Sequence, residues 1–227
     1  MPKVFIGVGH GGKDSGAIGK GGAAEKNLNL SIAKACGAAL ERSGVQVLLS
    51  RTRDEPDSVA QEVAECNRYA PDLAVDIHNN AGGGDGAEVY YTRHGGAGKK
   101  LAENILAQLV QLGQRSRGAK TRTNSSGSDY YAFIRSTKAP AVIVECAFID
   151  SDDVALIDTE AERVAVGEAI ARGILQTLGV NYKAVTCEKV STGLYKVQVG
   201  AFSDKARANS LVERLRSTGF DAFITKE

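Results

Sequence analysis

The sequence predicts an α/β fold: a mostly parallel, twisted sheet with helices on both faces, plus a small C-terminal β-α-β unit. Two observations carry this. Short continuous apolar runs, the signature of strands covered on both faces, alternate with amphipathic helical stretches. The alternation then breaks around residues 179–191 and restarts as a shorter strand, helix and strand. A chain of 227 residues is long enough for one well-buried domain with an appendage.

Val4–Val8 is the first apolar run and reads as a buried parallel strand. Asn27 to Ser43 is helical, because Leu28, Ile32, Ala35, Ala39 and Leu40 share one face and Gly44 stands where a C-terminal cap belongs. Val45–Leu49 is the second strand. Asp57 to Tyr69 reads as a helix with Val59, Val63 and Cys66 inward. Leu73–Ile77 is a strand ended by His78-Asn79-Asn80, and Ala87–Tyr91 is a fourth. Gly98 to Leu112 is amphipathic through Leu101, Ile105, Leu109 and Leu112. Ala141–Glu145 is a fifth strand and Glu160 to Leu178 a long helix. Two stretches read as loops: Gly9 to Ala24, with seven glycines, and the basic, polar Gly113 to Asp129. Loops at the carboxyl ends of strands carry function in open α/β sheets, and both are candidates for that edge. In the appendage, Tyr195–Phe202 reads as a strand, Ser203 or Asp204 caps a helix through Ala208, Leu211, Val212 and Leu215, and Phe220–Thr225 is a final strand. The domain division is therefore 1–180 and 181–227.

Composition excludes several classes. Lys and Arg number 28 against 27 Asp and Glu, a net charge of +1, which leaves no basic excess for general nucleic-acid binding. Trp is absent and aromatics are 6%, so a base-stacking platform is disfavoured. No apolar run reaches the ~18–20 residues of a membrane span. Met1-Pro2-Lys3 runs straight into the first strand without a signal-peptide pattern, which leads us to expect synthesis in the cytoplasm and action after release. Cys36, Cys66, Cys146 and Cys187 are widely spaced and read as reduced, mostly buried thiols. The net charge is −2 before residue 180 and +3 after it, a mild sign that the appendage meets something polyanionic.

Of three histidines, His10 follows the first strand and His78 the third, so their imidazoles can meet over the carboxyl edge of one sheet. Glu25 closes the glycine-rich loop. Glu145 ends the apolar run Ala141–Val144, where a carboxylate is costly unless paired or metal-bound. Two His and one Glu form a catalytic zinc set, and a further carboxylate can act as general base. Each also has a plainer account: a strand-end His is often just a satisfied polar group, and Glu25 suits the first turn of a helix. Cys146 alternates with Glu145 and reads as core, and His94 reads as a solvated loop residue.

Val8-Gly9-His10-Gly11-Gly12-Lys13-Asp14-Ser15-Gly16-Ala17 resembles the GHGG-x-D-x-GA motif of the zinc-dependent N-acetylmuramoyl-L-alanine amidases of the amidase-3 family. Glu25–Leu30, Asp76-Ile77-His78-Asn79-Asn80-Ala81 and Val144-Glu145-Cys146-Ala147-Phe148 resemble its later motifs, in order. Departures are Val8 for Pro, Asp76 for Ser and Ala147 for Gly. The resemblance implies a Zn2+ ion on His10, Glu25 and His78, with Glu145 catalytic. It implies hydrolysis of the amide between N-acetylmuramic acid and the L-alanine of the peptidoglycan stem peptide. The role would be that of an endolysin or a sporulation autolysin. The rival readings are a zinc peptidase acting within the stem peptide and a non-catalytic wall-binding protein. Tyr195–Ser203 with Gly219–Ile224 resembles one repeat of a SPOR domain, a peptidoglycan binder usually built from two. A lone repeat is too short to bury a core, so residues 195–226 are expected to pair two chains into a homodimer.

Overall fold

The computed structural model describes residues 1–184, 200, 203–217 and 224. The chain divides into two compact units, Met1–Val185 and Thr186–Glu227. In the first unit six strands form one sheet: β1 (Lys3–Val8), β2 (Gln46–Leu49), β3 (Leu73–Asn80), β4 (Ala87–Tyr91), β5 (Ser116–Lys120) and β6 (Ala141–Phe148). Their order is β2-β1-β3-β6-β4-β5. β2, β1, β3 and β6 are parallel, while β4 runs antiparallel to β6 and β5 parallel to β4. The helices are α1 (Glu25–Arg42), α2 (Val59–Tyr69), α3 (Gly96–Gln111), α4 (Ala132–Ser136) and α5 (Glu160–Leu178).

Strand alternation sorts the sequence onto two faces. Val4, Ile6 and Val8 of β1, Val75 and Ile77 of β3, and Val142 and Val144 of β6 pack with Ile32, Leu101, Ile105 and Ile170 of α1, α3 and α5. These side chains are fully buried, or nearly so, each contributing roughly 1.5–3 kcal/mol. The opposite face carries a smaller apolar cluster of Phe5, Cys66, Ala74, Phe133 and Ile143, under α2 and α4. On this face, towards the carboxyl ends of the parallel strands, the large apolar side chains give way to Gly7 and then Gly9, to Asp76 and His78, and to Glu145, joined by Glu88 from the start of antiparallel β4. The fold thus builds a rigid apolar slab on one side and leaves the other for chemistry.

Local signals explain the element ends. Ser58 and Gln61 form a reciprocal capping box on α2, and Thr159 and Glu162 another on α5. α1 starts at Glu25 without a side-chain cap, because the N-cap residue, Ala24, has no side-chain acceptor.

Several expectations need correction. β3 and β6 do not stop at Ile77 and Glu145 but run on to Asn80 and Phe148, so His78 and Glu145 lie within strands. Gly113–Asp129 is not one loop at the carboxyl edge. It contains β5, an edge strand whose Ser116-Arg-Gly-Ala-Lys120 lacks the apolar run that marks a buried one. Because β4 and β5 run against β6, residues after Lys120 leave from the opposite edge, where Asp129 accepts bonds from Thr92 and Arg93. Val59 is 47% exposed rather than inward.

In the second unit α6 spans Lys205–Ser217, and Asp204 Oδ1 accepts from the Ala206 N–H at 2.8 Å, matching the expected helix and cap. The flanking strands expected at 195–202 and 220–225 fall, Gly200 and Ile224 aside, outside the described residues, as does Cys187. Cys36, Cys66 and Cys146 are buried free thiols. No helix among the described residues is long and apolar enough to cross a membrane.

Candidate metal centre

β1 and β3 are hydrogen-bonded neighbours, so the chain just past β1 meets the end of β3. His10 adopts a left-handed backbone, φ 64°, which is rare for a residue with a side chain and clusters at functional sites. This turn swings its ring over the sheet edge, and the His10 and His78 rings lie edge to face with centroids 5.0 Å apart. Gly9 allows the approach. A Cβ there would fall 2.2 Å from Cε1 of His78, so any side chain would displace that ring.

Glu25 enters from the first turn of α1 and is 4% exposed. One carboxylate oxygen accepts from the Ala17 N–H at 3.0 Å, the other from the Asn79 N–H at 3.1 Å. The first oxygen also lies 3.1 Å from His10 Nε2, and the second 3.2 Å from His78 Nδ1. Burial pushes the Glu25 carboxyl up, but the bonds to His10 and His78 hold it well below the ordinary range. Glu25 in turn raises His10; for His78, burial opposes and Asp76 and Glu25 more than offset it.

Each histidine has a second carboxylate on its outer nitrogen. Asp14 Oδ2 is 2.9 Å from His10 Nδ1, and Asp76 Oδ2 is 3.3 Å from His78 Nε2. The inner nitrogens therefore face Glu25. One ligand atom from each of His10, Glu25 and His78 lies within 4.8 Å of the others. Two imidazole nitrogens and a carboxylate oxygen, gathered this closely, suit a zinc ion that keeps an open position. Outer carboxylates that orient ligating imidazoles are the usual second layer of such centres.

Glu145 is paired with His78 in the β3–β6 register, on the same face. Burial pushes its carboxyl up to about 7, against the pull of His78. Glu145 lines a slot of about 220 Å³ in which Val59, Tyr131, Ala132, Phe133 and Ile143 supply apolar and aromatic surface and His78 and Asp76 the remaining polar groups. Cys146 points into the opposite core and is fully buried. His94 is exposed on a cleft at the other edge of the sheet and is not brought to the centre. Asp14 was visible only as part of a motif. Asp76 stood out only as a departure from one. Glu88 gave no signal, since its donors come from β3, β4 and β5, which the sequence does not align.

An α/β sheet with two histidines and a carboxylate converging at its carboxyl edge, beside a desolvated second carboxylate, defines a protein with a candidate hydrolytic metal site. Residues 4–176 match the family model described as N-acetylmuramoyl-L-alanine amidase, and residues 191–227 match the SPOR domain. The chain belongs to the N-acetylmuramoyl-L-alanine amidase family. Over 231 residues it is 36% identical to N-acetylmuramoyl-L-alanine amidase CwlM of Bacillus licheniformis, covering 99% of this chain and 85% of that protein. It is also 36% identical to the sporulation-specific N-acetylmuramoyl-L-alanine amidase of Bacillus subtilis, covering 99% and 84%. Among solved structures, the catalytic domain of CwlV from Bacillus (Paenibacillus) polymyxa var. colistinus superposes with a TM-score of 0.72 at 30% identity, covering 80% of this chain and all of that one.

Proposed function

We propose that this chain is a peptidoglycan hydrolase that cuts the amide between N-acetylmuramic acid and the L-alanine of the stem peptide. His10, Glu25 and His78 would hold a zinc ion, and Glu145 would be the general base. The observation that carries this reading is the convergence of His10 Nε2 and His78 Nδ1 on the two oxygens of one buried carboxylate, with Glu145 beside them.

An amide is a poor electrophile. When bound, zinc supplies a Lewis acid that polarises a carbonyl and makes water acidic enough to react near neutral pH. Asp14 orients the His10 imidazole, and the Ala17 and Asn79 N–H groups fix Glu25. Glu145 takes the proton of the attacking water and returns it to the departing amine nitrogen. A carboxyl held near neutrality by burial suits both halves of that transfer.

Residues 1–180 are read as the catalytic domain and 181–227 as a wall-binding unit, in line with the SPOR match. Pairing of two copies through residues 195–226 is part of the same proposal. Similarity to the sporulation-specific amidase, and at 33% identity to the endolysin of Bacillus phage SPP1, supports a role in wall lysis. Digestion of purified peptidoglycan tests the cleavage. The expected products are intact stem peptides with a free L-alanine amine and sugars ending in unsubstituted lactyl groups. Shortened stem peptides would instead identify a peptidase.

A further inference from the structure

Gly7 of β1 and Gly9 just past it lie on the face where β3 presents Asp76 and His78. Gly7 is the register partner of Asp76. A Cβ on Gly7 would sit 2.7 Å from Asp76 Oδ1, just as one on Gly9 would strike the His78 ring. The two glycines form a furrow in which the Asp76 carboxylate and the His78 ring lie in line. Asp76 is 2% exposed, and its Oδ1 has no hydrogen-bond partner. A buried carboxylate oxygen without a donor is destabilising, so stability does not explain Asp76. Its neighbours deepen the cost. Asp57 and Glu62 approach from the α2 side, and burial together with Asp76 and Asp57 pushes Glu62 up to about 9. What Asp76 does have is one oxygen 3.3 Å from His78 Nε2.

We infer that Asp76 is a positioning residue for the metal centre: it accepts the Nε2–H of His78, which fixes the ring's orientation and turns the Nδ1 lone pair toward the position shared with Glu25 and His10. The inference rests on the reading of His78 as a zinc ligand. A neutral imidazole carries one N–H, and an anionic acceptor behind Nε2 selects the form whose Nδ1 is free to ligate. The same carboxylate strengthens the ring as a donor. The furrow is the sequence-level device, since a side chain at position 7 would fill the space that Asp76 occupies. On this account the molecule accepts a buried, half-satisfied carboxylate in exchange for a stiffer ligand.

The test uses the full chain with zinc affinity as readout, measured by chelator competition on wild type, Asp76→Asn, Asp76→Ala and His78→Ala. Losing a second-layer partner of this kind weakens metal binding 10–100-fold. The expected ladder is wild type tightest, Asp76→Asn weaker because a neutral amide oxygen still accepts the N–H, and Asp76→Ala weaker again. The melting temperature of the metal-free protein should hold or rise in both Asp76 variants, which separates positioning from a structural role. In the zinc-loaded wild type the His78 Nε2–H should give a downfield, slowly exchanging proton resonance that Asp76→Ala loses. Zinc affinity within twofold of wild type in Asp76→Ala, alongside loss of binding in His78→Ala, would overturn the inference alone. Unchanged affinity in His78→Ala would overturn the underlying ligand assignment instead.

Discussion

Glu88 and Glu145 stand opposite each other across the antiparallel β4–β6 pair, yet their surroundings drive them apart. Glu88 accepts from Asn80, Tyr90, Arg117 and Lys120, and these donors hold its carboxyl below the usual range although burial opposes them. Glu145 has no such donors among the described residues, and burial lifts it to about 7. Two carboxylates in one register with separated proton affinities are the arrangement from which a fixed anion and a working base are made.

The base assignment is tested by Glu145→Gln. The amide keeps shape and volume but cannot accept the water's proton. Zinc content should stay at the wild-type level while turnover on purified peptidoglycan falls by at least ~10²-fold. Turnover near wild type would remove Glu145 from the reaction.

Glu88 should matter for stability as well as for the site. Glu88→Ala strips the shared acceptor from exposed Arg117 and half-buried Lys120. The expected cost is about 1–3 kcal/mol, discounted from a fully buried pair because the two cations reach solvent. Urea denaturation of the variant and wild type at neutral pH measures it.

Glu62 sets a pH dependence. Its folded-state proton affinity is raised to about 9, so the folded chain holds a proton the unfolded chain releases near the ordinary Glu value. The stability this proton confers is complete below the unfolded pKa and is lost as pH rises toward about 9. Glu62→Gln, a neutral mimic of the protonated carboxyl, should melt close to wild type at about pH 5 and several degrees above it at about pH 9. Parallel melting curves for the two proteins across that range would contradict the assignment.

The sequence makes the central pieces legible for a physical reason. The apolar runs Val4–Val8, Leu73–Ile77 and Ala141–Val144 read as buried strands, His78 and Glu145 stand directly after two of them, and His10 stands one residue past the first. Parallel pairing of β1, β3 and β6 then brings those three residues to one edge. Glu25 follows because the glycine-rich loop must return to the same edge to start α1. What escaped was whatever depends on strand direction or cross-strand partners. β5 has no apolar run, and the reversed direction of β4 sends 121–129 to the far edge. The environments of Glu88 and Asp76 come from β1, β3, β4, β5 and α2, which no local spacing links.

The appendage yields a separate prediction. The SPOR match spans only residues 191–227, and a unit this short usually needs oligomerisation, a metal or disulfides to bury a core. Light scattering at micromolar concentration should give a dimer for the full chain and a monomer for residues 1–180. A monomer in both would remove dimerisation from the account. Binding of the full chain, but not of 1–180, to insoluble peptidoglycan would assign wall affinity to residues 181–227.

The most direct test of the central claim is metal content measured alongside lysis. The purified chain should carry one zinc, and a strong chelator should remove the zinc and the turbidity-clearing activity together. Added zinc should restore both, while His10→Ala, Glu25→Ala and His78→Ala should neither hold the metal nor lyse. Full activity in metal-free protein, or stoichiometric zinc with full lysis in His78→Ala, would contradict the account.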